Sequence, residues 1–468
     1  MCAPTAKTAV LNVGDLEAFL ASGNLAVATT GSGVQADDIH VCSALGWSNS
    51  STLSLEAHRS IAINAPMSIT GQSGLTLDTG KRGWLSFGSK GNVSFVSLSS
   101  QLAINGSAFT LVGDIKTLAN DVAANPSGDF ALAKSYDATG DGTYLSPPVP
   151  TVFSGTFNGL GNTISHLSVG GAVKTASGWA EGFFAELGTT GILENIGLEA
   201  ANISGQPRLK ASWTGTLVGV NFGTIRFSYA ASKVTIRKGS FGGVLVGSND
   251  GTIMDSNASG VLKGKVGTVG GLVSDNEGII QNSHAAVAVT VKEGAGGGYG
   301  GLAGENLGTV ENSWATGNIT VGTGGHLGAL IGISGGAINN SYATGAVTGG
   351  TGSDSGGLVG ENGINGTISF SYSTGAVAGG GYIGGLIGFD GAQSGSITDA
   401  YWDTDTSGIT DPSQGAGNIA NDPGVTGLST AEFQSGLPQG FDPAVWAEKS
   451  NINGGLPYLL DNPPVRKH

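Results

Sequence analysis

Apolar residues in the second half of the chain recur at a long, fixed interval. A leucine opens each interval, at Leu217, Leu245, Leu272, Leu302, Leu330, Leu358 and Leu386, in steps of 28, 27, 30, 28, 28 and 28 residues. A period of this size marks a solenoid or an array. A β-branched residue follows eight positions later at Ile225, Ile253, Ile280, Val310 and Ile338, and its place is taken by Ile368 and Ile397 in the last two units. A third apolar position comes at Val234, Leu262, Val289, Ile319, Val347 and Val377. Gly, Asn and Ser fill the gaps, as expected where short strands alternate with tight turns. Three strands per unit that close on themselves make one coil of a parallel β-helix, with the apolar anchors stacked into internal ladders.

Four residues after each leucine stands a turn residue, Asn221, Asn249, Asn276, Asn306, Ser334, Asn362 and Asp390. These are expected to form a further ladder, hydrogen-bonded along the axis and placed at a turn that tolerates positive φ. Six after the leucine comes glycine, at Gly223, Gly251, Gly278, Gly308 and Gly336.

The first part of the chain alternates at period two in Leu25/Val27, Ile39/Val41, Leu53/Leu55, Ile61/Ile63 and Leu75/Leu77, the pattern of short half-buried strands. Ile61-Ala62-Ile63-Asn64 returns as Leu102-Ala103-Ile104-Asn105, 41 positions later. Two coils of about 20 residues would place one above the other. Residues 14–22 and 114–124 read as short helices, and Ser429-Thr430-Ala431-Glu432 is a capping box. The fold expected is an all-β, right-handed parallel β-helix with short helices and a C-terminal cap. Its parts are a shaft over 1–112, a connecting segment over 113–181, the regular repeats over 182–402 and the cap over 403–468. The aromatic and apolar residues Phe441, Trp446, Leu456 and Tyr458 suit a cap, because a solenoid exposes core at its ends.

Composition narrows the function classes. The 84 glycines lack a collagen period, and 39% apolar content with 12% charged residues argues against disorder. A net charge of −14 disfavours nucleic acid and anionic membrane surfaces as partners. No apolar run reaches the ~18 residues of a membrane span, and the N-terminus does not read as a signal peptide. Two cysteines, Cys2 and Cys42, are too few for a disulfide framework. Cys42 is expected to be a small buried residue, and its pairing with Cys2 is left open.

The unit Gly357-Leu358-Val359-Gly360-Glu361-Asn362, Gly366-Thr367-Ile368, Ser371-Tyr372-Ser373-Thr374-Gly375 resembles the GLUG repeat of bacterial surface proteins. The stretch Trp47-Ser48-Asn49-Ser50-Ser51-Thr52-Leu53-Ser54-Leu55-Glu56-Ala57 resembles the shaft of filamentous haemagglutinin-type adhesins. Residues 153–164 and 401–408 are similar to the usual flanks of the GLUG region. The resemblance implies a secreted exoprotein at the bacterial surface, exported through an outer-membrane partner. It also implies host or cell-surface glycans or proteins as ligands. It names no reaction, since such repeats are scaffold.

Candidate chemistry is sparse. The histidines His40, His58, His166, His284, His326 and His468 show no metal-binding spacing. His284 fills a slot held elsewhere by Tyr229, Trp314, Tyr342, Tyr372 and Tyr401. This aromatic column stacks on sugars if it faces out and is core if it faces in, and the small residues beside it favour core. Glu305 and Glu361 each follow an anchor leucine by three, so they share a column two coils, or about 10 Å, apart. That is somewhat wide for a glycosidase pair, and Ile333 lies between them. Asp403/Asp405 and Asp137/Asp141 resemble half of a calcium loop but lack the closing bidentate Glu, so no cofactor is expected, with calcium the one ion to weigh. The first functional expectation is a structural or adhesive rod. The alternative is a polysaccharide hydrolase or lyase on a β-helix, which would need acidic or basic side chains clustered on adjacent coils.

Overall fold

The computed structural model describes residue 2 and residues 6–30, 36–205, 212–237, 239–265, 267–294 and 296–464. The architecture is a parallel β-helix. One 15-stranded parallel face, interrupted by a single antiparallel hairpin, runs from Leu25–Ala28 to Ile397–Thr398. It includes Phe130–Leu132 and Thr156–Asn158, so this face runs on through the segment between the shaft and the regular repeats. An 8-stranded face and a 23-stranded face complete the coils of the second half, and two 3-stranded faces complete those of the first.

The registers confirm the ladders. Ile225, Ile253, Ile280, Val310, Ile338, Ile368 and Ile397 are paired in succession and buried. So are Val234, Leu262, Val289, Ile319, Val347 and Val377. The anchor leucines are fully buried at every coil. The recurring glycines have a steric cause. A Cβ on Gly251, Gly278, Gly308 or Gly336 would lie 2.0 or 2.1 Å from the carbonyl oxygen of the glycine one coil below.

The asparagine ladder is continuous over four coils. Nδ2 of Asn221, Asn249 and Asn276 donates to Oδ1 of the next asparagine at 2.6, 2.7 and 2.8 Å. It lies one turn away from the left-handed backbone. Positive φ instead falls at Phe227, Asp255, Asn282, Asn312, Asn340, Phe370 and Asp399, mostly the short polar residues that tolerate it. The asparagines are therefore selected for their side-chain amide, which satisfies buried polar groups, rather than for φ. At Ser334 the ladder thins: Asn306 Nδ2 reaches Ser334 Oγ at 3.3 Å, and Asn362 Oδ1 receives no hydrogen bond. Ser334→Asn should restore the missing link and raise stability by about 0.5–1.5 kcal/mol, read as a shift in the urea midpoint without a change in m.

Two expectations need correction. Ile61–Ile63 and Gln101–Ile104 do not stack, because they occupy different faces; Ile61 sits over Ile39 and under Leu85, while Leu102 sits over Leu75. The early coils advance by 22 to 28 residues, as in Leu53 over Leu25 and Leu75 over Leu53, so a 41-residue repeat does not return to the same face. Cys42 is exposed, not buried, and both cysteines are free thiols. The C-terminal cap has two parts. Residues 404–428 form a last irregular turn, in which Val425–Leu428 pairs with Ala400–Asp403 and Ala416 bridges to Ile387. From Ser429 the tail then doubles back along the flank of the rod.

Candidate functional site

The flank under the tail is the aromatic column. Tyr229, Asn257, His284, Trp314, Tyr342, Tyr372 and Tyr401 are register neighbours in that order. His284 stacks on Trp314 at 4.1 Å, and Tyr342 on Tyr372 at 5.1 Å with rings 2° from parallel. The tail supplies Phe433, Phe441 and Trp446, which pack with Trp314, Tyr342, Tyr372 and Tyr401 in one buried cluster. Polar contacts fix its path. Tyr401 Oη donates to the Gln439 carbonyl at 2.9 Å, Tyr372 Oη to the Pro457 carbonyl at 2.5 Å, and Trp446 Nε1 to Asn340 Oδ1 at 3.2 Å. At its far end Asn462 Nδ2 donates to the Ser283 and Asn312 carbonyls, and its Oδ1 faces His284 Nδ1 at 3.1 Å. Burial pushes His284 down to about 4, so it is neutral here. Four of the five aromatic candidates are thus core beneath the tail. Tyr229 lies beyond the buried cluster and hydrogen-bonds Glu199 at 2.6 Å.

A second column carries acids. Three positions after the anchor leucine, Ser248, Asp275, Glu305, Ile333, Glu361 and Phe389 follow one another in register. Glu305 and Glu361 do share a column with Ile333 between them. Asp275, on the coil directly before Glu305, was missed as a candidate, although the same spacing from Leu272 locates it. Asp250 and Glu277 lie beside it, and their charges act on it. Burial, then Glu305, Glu277 and Asp250, push Asp275 up to about 7. Burial, then Glu277 and Glu361, raise Glu305. On the neighbouring face His326 Nδ1 is 3.1 Å from Glu361 and 3.3 Å from Asp354, ion-pair distances without hydrogen-bond alignment. His468 lies outside the described residues.

Asp275 makes a pH prediction with a definite sign. Its folded value lies above the unfolded value of 3.8, so the folded chain binds the proton more tightly. Stability is fully present below about 4 and declines as pH rises toward about 7. Asp275→Asn should therefore raise the melting temperature at pH 8 and leave it nearly unchanged at pH 4; an equal shift at both would contradict the assignment.

The calcium candidates are turn anchors. Asp137 Oδ1 accepts from Thr139 N and Oγ1 and faces His166 Nδ1 at 2.9 Å. These bonds hold its carboxyl down to about 2, the Thr139 hydroxyl first. Asp141 accepts from Tyr136 and Tyr144, each at 2.7 Å. Asp403 accepts from Asp405 N, Thr406 N and Thr430 Oγ1, and Asp405 from Thr430 N. The last pair fixes helix Thr430–Phe433, whose capping box is formed as expected, and so sets the direction of the tail. Among the described residues no group of three or more His, Cys, Asp or Glu side chains is placed to hold a metal ion, and no helix is long and apolar enough to cross a membrane.

No family model matches the chain. A 140-residue stretch, 30% of the chain, is 30% identical to halomucin of Haloquadratum walsbyi, of which it spans 1%. Among solved structures an IgA1 protease aligns with 55% of the chain at 19% identity and a TM-score of 0.42, over 21% of its own length.

Proposed function

We propose that the chain is a structural and adhesive segment of a secreted surface exoprotein, which binds host, matrix or neighbouring-cell ligands through the side of its rod. The observation that carries this reading is the repetition of small outward side chains coil over coil. Thr290, Thr320 and Thr348 are adjacent in register and exposed, and so are presented about 4.8 Å apart. Such a row suits an extended ligand gripped by many weak, identical contacts. The tail supports the same reading, since it covers most of the aromatic column and leaves the polar faces outward. The GLUG and haemagglutinin resemblance adds an outer-membrane secretion partner and a cell-surface location. A glycan and matrix-protein array tests the proposal. Binding that Thr320→Lys abolishes, without loss of melting temperature, supports it; no binding by the intact chain overturns it.

The acid column favours a second reading, a carbohydrate-active enzyme. Asp275 and Glu305 are one coil apart, about 4.8 Å, close to the ~5 Å of a retaining glycosidase pair. Asp275 is also held near neutrality, as a general acid requires. Release of reducing ends from a polysaccharide, lost in both Asp275→Asn and Glu305→Gln, would establish it in place of the first.

A further inference from the structure

Two rows of side chains face each other across an inside corner of the rod. One is the acid column, which runs from Ser248 through Asp275, Glu305, Ile333 and Glu361 to Phe389. The other begins with Trp213 paired to Phe241, continues with Gly298, His326 and Asp354 paired in succession, and ends at Tyr382, whose carbonyl accepts from Ser355 N–H at 2.8 Å. The glycine two positions after the anchor leucine marks the corner. A Cβ on Gly247, Gly332, Gly360 or Gly388 would lie 2.8, 2.1, 2.3 or 2.7 Å from the main-chain nitrogen of Thr214, Tyr299, Leu327 or Ser355 on the facing strand. One position further on, side chains meet across the corner. Trp213 packs on the cluster that contains Val220, His326 Nδ1 is 3.1 Å from Glu361, and the rings of Tyr382 and Phe389 are 5.5 Å apart.

The corner is open along its length. Trp213, Phe241, Asp275, Glu305, His326 and Glu361 are half-buried, and Tyr382 is 49% exposed. Six coil steps separate Trp213 from Tyr382, which makes a groove ~29 Å long at ~4.8 Å per coil. Aromatic rings stand at both ends, with Trp213 stacked on Phe241 at 4.5 Å and Tyr382 beside Phe389. Between them lie the carboxyls of Asp275, Glu305, Asp354 and Glu361, and no Lys or Arg stands in either row. Asp275 Oδ1 and His326 Nδ1 are buried there without a hydrogen bond. Burial, then the neighbouring carboxylates, raise Asp275 and Glu305, and a bound cation would offset that repulsion. The carboxyls are spread over successive coils rather than gathered into one metal-binding group among the described residues, so they suit positive charges repeated along a chain.

We propose that this inside corner is a binding groove for a linear polysaccharide of amino sugars with free, protonated amines. The ring pairs at the two ends take the C–H faces of sugars, which the negative faces of aromatic rings attract. The carboxylates between them accept from the amines and hydroxyls, as charge-assisted hydrogen bonds. The main-chain groups of both walls are taken up by the ladders to the next coil, so a ligand is read by side chains alone. That disfavours a basic peptide, which binds by adding a strand to a free sheet edge. The groove gives the glycan-binding reading a site outside the row of Thr290, Thr320 and Thr348. Failure of the Thr320→Lys test therefore leaves the groove standing, and failure of the groove leaves that row to its own test.

The test is calorimetric titration of the intact chain at pH 6 with a glucosamine hexamer, the N-acetylated hexamer and an oligogalacturonate of the same length. The glucosamine hexamer should bind, the acetylated one at least about tenfold more weakly once its charges are lost, and the uronate not at all. Trp213→Ala and Tyr382→Ala, at opposite ends, should each weaken the glucosamine hexamer about tenfold, and Glu361→Gln about fivefold, with the melting temperature kept. No binding of the glucosamine hexamer, equal binding of the acetylated one, or tighter binding of an oligolysine of equal charge would each overturn the proposal. The choice among these ligands by the unmodified chain decides the matter even where a variant fails to fold.

Discussion

Trp446→Ala should destabilise the C-terminal half of the rod by about 3–5 kcal/mol, the usual range for a buried large aromatic, and free the tail. Trp446 is 1% exposed; it stacks on Phe441 at 4.6 Å and packs on both Tyr342 and Tyr372. Its indole also ties the tail to Asn340. Once it is lost, the rings of Tyr342 and Tyr372 meet water, and Asn462 loses the chain that holds it against His284 and Trp314. Because a solenoid's stability is a sum over neighbours, the loss should be local. Coils from Trp314 onward should melt earlier, while those around Leu53 and Leu75 keep their midpoint. Two transitions in denaturant, with only the weaker one shifted, would verify this; a uniform shift would contradict it.

Asn276→Ala should cost about 2–4 kcal/mol, from roughly two or three buried acceptors left unpaired at 1–3 kcal/mol each, partly relieved by relaxation. Asn276 is fully buried. Its Nδ2 serves Asn306 Oδ1 and the Gly278 and Thr309 carbonyls at 2.8, 3.3 and 3.3 Å. Alanine serves none of them. Asn276→Ser should fall between, since Ser334 occupies the equivalent place and still accepts from Asn306. Equilibrium urea unfolding of the three proteins orders them; an Ala variant as stable as the parent would mean the ladder is ornamental.

Much of this architecture was legible before any coordinates. The anchor leucines, the β-branched ladder and the asparagines are periodic, and a period fixes which residues stack because each coil is one repeat. The same rule placed Glu305 and Glu361 in one column. What it could not supply is anything outside the period. The tail carries no repeat, so its route along the flank depends on Asp403 and Asp405 holding Thr430, a contact set by folding alone. The early coils vary between 22 and 28 residues, so the similarity of Ile61–Asn64 to Leu102–Asn105 pointed to a stacking that their different faces forbid. Asp275 was within reach of the rule.

The most direct test of the account is hydrogen–deuterium exchange on the intact chain. It predicts strong protection that recurs with the repeat through Ile225, Ile253, Ile280, Val310, Ile338 and Ile368. It also predicts that the tail around Trp446 and Leu459 is protected together with Trp314 and Tyr342, and that both lose protection in Trp446→Ala. A tail that exchanges freely in the intact chain, or protection without the 28-residue recurrence, would contradict a β-helix clamped along its flank by its own C-terminus.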